Sequence, residues 1–412
     1  MATAAQRLSD ALIRHQIDIE RLKKGTATKF VKLLRSADAG MVAELRSRLD
    51  SYGETGAAAA RKVKSLERLI DAVVQSRRTL WTGIRADAQK ELKEIAQMES
   101  AVAQDLFEEA VGLEEFELPV LAAALFLPAT RDSVWLGRTT AAHLKYLEIQ
   151  ERTIIERSIR QGVFEGLKGD EIIAQIRGTR GFGMTDGELQ QTRNGLAAVM
   201  ATAVLNAATI GQRLTWAESG VITGLVWTAV LDGRTSAICR SRDGHGVPLT
   251  DNFPKDIPRL SPSNARPPAH YNCRSYMEPT LRDVGIVKPH RMTVTDTRTE
   301  KARVRDFRAE AKKRAGAGWS GLTERQRRRR IRTVANEWAA ANIGTVAPST
   351  TYADFFSRQS RTFQRSVLGP SRLKLYEEGG LSLEKFVDFA GKPLNLEQLK
   401  TRYPKAFVRA GL

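Results

Sequence analysis

The chain has 412 residues, room for two or three domains, and its 42% hydrophobic and 27% charged content excludes wholesale disorder. Two cysteines exclude a disulfide framework and suit a reducing cytoplasm, and the start shows no apolar signal region. A net charge of +18 points to a polyanionic partner, nucleic acid first and a membrane surface second.

In chain order, Leu12, Ile19 and Leu22 share one helical stripe, with Leu8 before them. A break is expected at Gly25, then a second helix through Phe30, Val31, Leu33 and Leu34. Val63 to Leu106 holds the longest periodic run: Leu66, Ile70, Val73, Leu80, Ile84, Leu92 and Ile95 fall near one face, with no proline and a candidate interruption at Gly83. That stripe must be covered, either by neighbouring helices or by a partner protein. Leu118 to Leu127, the longest uncharged apolar run at ten residues, carries Pro119 and is followed by Pro128. It is too short to cross a bilayer and reads as a buried helix, so no membrane anchor is expected. Asp170 can cap a helix from Glu171 to Ile176 that Gly178 ends, and Thr185 to Glu188 has capping-box spacing for a helix running toward Gly211. Gly181, Gly183 and Gly187 lack the Lys-Ser/Thr of a phosphate loop.

At Ile222 the pattern changes to β-branched and aromatic residues as far as Leu231, a strand that stops at Asp232-Gly233, and Tyr276 with Met277 can pair with it. Residues 286 to 300 read as extended, Lys301 to Ala315 as helix, Gly316 to Gly321 as linker and Thr323 to Ala341 as a helix capped by Thr323. Short helices follow from Tyr352. The fold class is therefore mainly α with a small α+β module. Five regions result: long docking helices (1–115), a helical domain (116–215), a strand-and-loop module (216–285), a basic segment (286–345) and a helical tail (346–412).

Lys288 to Arg332 carries 16 Lys and Arg against 5 Asp and Glu, a local net of +11. Its candidate phosphate contacts are Lys312, Lys313, Arg314, Arg325, Arg327, Arg328, Arg329, Arg330 and Arg332. Phe307 and Trp319 are the aromatics in that segment, which favours duplex over single-stranded DNA. The alternative is a solvated helical face.

Both cysteines and two of the five histidines fall between Trp227 and Pro279. His270-x-x-Cys273 puts an imidazole and a thiol on one turn, and the Pro-bent loop lets Cys239 approach them. Zinc takes four such ligands, with Asp232 or His245 as the fourth. The same residues also fit a metal-free knot in which the thiols pack as small apolar groups and His270 holds the turn, or a disulfide. Arg234 and Arg274 can tie loops through Asp232 and Asp243, and Asn272 fits a turn. A Cys239–His270 nucleophilic pair is the enzymatic reading, without a base-orienting motif or HExxH helix to support it.

Trp227, Asp232, Arg234, Thr235, Cys239, Asp243, Gly244, Pro267, Pro268, His270, Asn272, Cys273, Arg274 and Pro279 stand in the order W, D-x-R-T-x-x-x-C, D-G, P-P-x-H-x-N-C-R and a closing proline. This order resembles the signature of the phage Mu F-like minor head proteins, the phage head morphogenesis family. Ser236 and Ser275 stand where relatives often carry Cys, which excludes a fully cysteine-lined site. The helix from Met200 to Asn206 and the tail from Tyr352 through Ser382 resemble the family more weakly. The resemblance implies a virion protein made in the host cytoplasm and placed in the head interior or at the portal vertex. Its implied partners are the portal protein, capsid or scaffolding protein, and double-stranded DNA, and its roles are capsid assembly, DNA packaging and genome ejection. It implies no reaction; the rival is a zinc-dependent nuclease or hydrolase carried in the head.

Overall fold

The computed structural model describes residues 4–49, 59–111, 121–261, 266–281, 291–347, 350–388 and 391–412. Lys288 and residues 118–120 of the apolar run lie outside them. Helices α1 (Ala4–Ser36), α2 (Asp38–Leu49) and α3 (Ala59–Val111) open the fold. Gly25 and Gly83 break neither α1 nor α3, contrary to the sequence expectation. An exposed helical glycine costs about 1 kcal/mol. Burial of Phe30 and Leu34 near the first, and of Trp81 and Ile84 beside the second, offsets more than that. With 53 residues, α3 is about 80 Å long.

After a short helix α4 (Phe126–Arg131) come a two-stranded hairpin, β1 (Val134–Trp135) with β2 (Arg138–Thr139), and helices α5 (Thr140–Phe164), α6 (Gly169–Arg177) and α7 (Leu189–Ala217). The hairpin turns on Leu136 and Gly137, both at positive φ. Two cores cover the α3 stripe from within the chain. Trp81, Ile84, Leu92 and Ile95 pack with α1, α5 and α7, while Ile70 and Val73 pack with α2, α5 and α6. No partner protein is needed on that face, and helices of the first two regions share these cores. Where they meet, buried Arg77 hydrogen-bonds Glu151 and Asp38, and Arg193 closes on the other oxygen of Asp38.

Three local expectations change. The apolar run is not a buried helix: Ala123–Leu125 is a 3-10 turn, residues 122 to 125 are exposed, and α4 starts at Phe126 with Pro128 in its first turn, where a missing N–H is tolerated. α6 begins at Gly169, and the Glu171 carboxylate, not Asp170, closes its start on the Lys168 N–H (2.8 Å). The Thr185 hydroxyl donates to the Phe182 carbonyl, Glu188 pairs with Arg157, and α7 opens one residue later and runs past Gly211 to Ala217. Among the described residues α7 is the helix apolar enough to cross a membrane, but 78% of its apolar window is buried inside the fold. It is the central core helix, buried without interruption from Val199 to Gln212.

Beyond α7 the chain forms two three-stranded sheets. Strand β3 (Ile222–Thr228) is central to the first, antiparallel to β5 (Gly246–Pro248) on one side and to β6 (Tyr276–Leu281) on the other. Trp227 opposes Met277 and Thr228 opposes Tyr276, the expected pairing. The strand does not run on to Leu231. The Asp243 carboxylate takes the Ala229 N–H (2.7 Å), so β4 (Leu231–Asp232) leaves for a second sheet. There it lies parallel to β7 (Arg291–Val294), which pairs antiparallel with β8 (Ile343–Val346).

Between β7 and β8 the chain folds into a helical hairpin, α9 (Glu300–Ala315) and α10 (Glu324–Asn342). Thr299 and Thr323 cap the two helices, the latter as expected. Helix α8 (Ala237–Arg242) lies inside the signature. The tail is five short helices, α11 (Tyr352–Ser357), α12 (Arg361–Leu368), α13 (Pro370–Glu377), α14 (Leu396–Arg402) and α15 (Pro404–Ala410). They enclose an aromatic core that includes Tyr352, Phe355, Phe356 and Leu231 of β4.

Candidate functional site

The signature folds as a buried knot. Ser236 caps α8 through its hydroxyl, which accepts from the Cys239 N–H at 3.4 Å and turns Cys239 inward. From the other arm, Pro267 and Pro268, joined by a cis peptide, lead into a turn in which the Cys273 N–H reaches the His270 carbonyl (3.2 Å). Asn272 makes that turn at φ +57°, in the left-handed region asparagine tolerates, and its N–H donates to Thr202 of α7 (3.0 Å). Gly244, at φ +81°, lets its N–H reach the Trp227 carbonyl (2.9 Å).

Cys239 Sγ thereby lies 3.2 Å from His270 Nε2 and 3.7 Å from Cys273 Sγ. His270 Nδ1 contacts the Tyr271 carbonyl (2.8 Å), which leaves Nε2 facing the sulfur. Both cysteines are free thiols, packed among Leu12 and Ile19 of α1, Phe107 of α3, Leu205 of α7 and Trp227. The hydrogen bond between them raises the Cys239 thiol and lowers Cys273; His270 adds to the lowering despite burial. Burial pushes the His270 imidazole down, but the hydrogen bond and charge of Cys273 override it and hold it above its ordinary value. Ser236 and Ser275 both hydrogen-bond Cys239.

Among the described residues, the group that closes to metal-sharing distance is Cys239, His270 and Cys273; Asp232 and His245 are outside it. Asp232 is occupied: its carboxylate takes both Arg274 Nη atoms (2.8 Å each), the Arg234 N–H and the Thr235 hydroxyl. Burial would push the Asp232 carboxyl up, and Arg274 overrides it to hold it low. His245 Nδ1 instead meets the Asp243 carbonyl at 3.3 Å. Two sulfurs on a tetrahedral zinc, at about 2.3 Å each, stand about 3.8 Å apart, so the sulfur spacing fits the ion, while the described residues supply three of the four ligands that a closed structural site takes.

Of the partners that hold the knot, the sequence identified Arg274 for Asp232 but not the more distant ones. Asp243 is tied by Arg291 of β7: Arg291 donates to both carboxylate oxygens (2.8 Å each), and Tyr352 N–H adds a further bond (2.6 Å). The Tyr352 hydroxyl donates to the Asp232 carbonyl at 2.8 Å, so the tail locks both signature aspartates. Lys23 of α1, buried, donates to the Cys273 carbonyl at 2.7 Å across 250 residues. Tyr271 OH meets His143 Nδ1 (3.1 Å), whose ring stacks on Trp135. No short-range signal marks these contacts, because each joins separate elements.

The basic candidates lie on the α9–α10 hairpin. Lys312, Lys313, Arg325, Arg329, Arg330 and Arg332 are exposed. Arg314 is paired with Glu310 and Glu337, and Arg328 with Glu324. Arg327 turns back to the Trp319 and Ser320 carbonyls and lies over the Trp319 ring. Arg325, Arg328, Arg329 and Arg332 line one shallow groove of about 820 Å³. Phe307 packs on Trp338 inside the hairpin.

This is a helical protein organised by a buried Cys-His knot, with a basic arm between two strands of its second sheet. Residues 153–278 match the family described as Phage Mu protein F like protein. The match runs from within α5 to Glu278 of β6, so Lys23, Arg291 and the tail from Tyr352 fall outside it. Neither a curated protein nor a solved structure matches the chain.

Proposed function

We propose that the protein is a minor head component of a tailed phage that assists head assembly and DNA packaging or ejection. The Mu F-like segment at residues 153–278 carries this reading. The buried knot fixes the segment, the outer polar faces of α2 and α3 dock portal and capsid or scaffolding protein, and the α9–α10 arm holds double-stranded DNA. The arm's aromatics are turned to packing, which leaves cations without stacking platforms and suits duplex phosphates. In virions and proheads of the phage that encodes it, the chain is expected as a low-copy protein detectable by mass spectrometry. Its absence from both would refute the reading.

Against the nuclease or hydrolase alternative stands burial: Cys239 and Cys273 are 1% and 0% exposed, which leaves a substrate no approach to either sulfur. His270→Ala is therefore expected to impair head assembly without removing any DNA cleavage. Loss of a cleavage activity with assembly intact would reverse the assignment.

The 3.7 Å sulfur spacing favours one refinement, a zinc ion held structurally by Cys239, His270 and Cys273. Bound there, zinc would supply a covalent tie between α8 and the His270 turn. Elemental analysis of purified protein should then find about one zinc per chain, lost with Cys273→Ala. A value near zero would leave the hydrogen-bonded knot alone.

A further inference from the structure

We propose that the outward face of α1 is a second contact for the duplex phosphate backbone, separate from the α9–α10 arm. It rests on the reading of the protein as a duplex-binding head component. Arg21, Lys24, Gly25, Lys29, Lys32 and Leu33 line a shallow groove of about 810 Å³ along three turns of the helix. The neighbouring counter-charges are few: Arg21 pairs with Asp18 and Lys29 with Glu91, both exposed at the cation. Lys24 and Lys32 are exposed and have no ion-pair partner among the described residues.

The composition selects the occupant. Protein interfaces are depleted in lysine and enriched in aromatics and arginine. This groove has three lysines to one arginine, no aromatic and one apolar side chain, Leu33. Ammonium groups act as point charges on phosphate, whereas bidentate carboxylate recognition calls for guanidinium forks. An acidic protein surface is thus the poorer fit. The lack of a stacking ring likewise points to duplex rather than single strand. Gly25 in the groove has no atom near where its Cβ would be, so a phosphate can approach the helix backbone closely. Lys24 and Lys32 are eight residues apart, about 12 Å along the helix, a span of three to four base pairs at about 3.4 Å each.

The test is the salt dependence of duplex affinity for the full chain, read by anisotropy of a labelled duplex. It compares wild type, Lys24→Gln with Lys32→Gln, an α10 variant with Arg325→Ala, Arg329→Ala and Arg332→Ala, and the two sets combined. Glutamine is one atom shorter but keeps a flexible polar side chain and a helix propensity close to that of lysine, so the fold is retained. The α1 variant should flatten the slope of log K against log salt by about 1.8, at about 0.9 per phosphate released, and the combined variant should add both losses. An α1 slope equal to wild type, with the α10 slope flattened, overturns this inference and leaves the arm. Flattening by the α1 variant alone keeps the inference and removes the arm. No change in any variant removes both.

Discussion

Asp243→Ala is expected to lower the melting temperature more than any other single change in the signature. In the folded chain its carboxylate takes the Ala229 N–H, both Arg291 Nη atoms and the Tyr352 N–H. The Arg291 and Asp243 side chains are 11% and 1% exposed, so removing the acid leaves a buried guanidinium without its counter-charge. Breaking one side of such a pair costs about 3–5 kcal/mol, which for a chain of this size is a fall of roughly 3–6 °C. Asp243→Asn, which keeps an acceptor but not the charge, should fall between. Arg291→Met added to Asp243→Ala should cost less than the two separate losses, because the orphan charge is then gone. Arg314→Ala is the control: its ion pairs with Glu310 and Glu337 are exposed, and the change should stay within about 0.5 kcal/mol. Differential scanning calorimetry reads these variants and Arg291→Met alone. A loss below about 1 kcal/mol for Asp243→Ala would mean that Asp243 does not join the strands and tail as argued.

Replacing Arg325, Arg328, Arg329 and Arg332 together by alanine should flatten the salt slope of duplex binding by up to about 3.6, four contacts at about 0.9 each. The helix divides the Arg327 to Arg330 run among different faces, so the set that shares a groove spans two turns at spacings of three, four and seven residues. Arg327→Ala should act differently. Its guanidinium holds the Trp319 and Ser320 carbonyls, so its loss should loosen the hairpin turn and lower the melting temperature while leaving the slope near wild type. A quadruple variant with a wild-type slope would assign the groove to solvent. A large slope change from Arg327 alone would show that its packed position opens on binding.

The N-terminal region is less separable than its charge pattern suggests. The Lys23 ammonium reaches the Cys273 carbonyl, and Leu12 and Ile19 pack in the same core as both thiols. Loss of α1 would therefore uncover the knot, whatever surface α1 offers to partners.

The sequence by itself determined the features that depend on neighbours in the chain. Periodicity without proline specifies α3. Thr323 fixes the start of α10, β-branched and aromatic residues fix β3, and the ordered spacing of Cys239, His270 and Cys273 marks one site. Gly25 and Gly83 show where local rules end. A propensity cost near 1 kcal/mol is visible in sequence, whereas the burial of Phe30 and Trp81 that outweighs it comes from helices far along the chain. Tertiary structure alone decided the rest. It kept Asp232 from the ligand group, gave Asp243 to Arg291, and ended β3 at Thr228. It also covered the α3 stripe inside the chain. In each case a buried charge or apolar face must find its complement in space, and which distant segment supplies it is not written in local spacing.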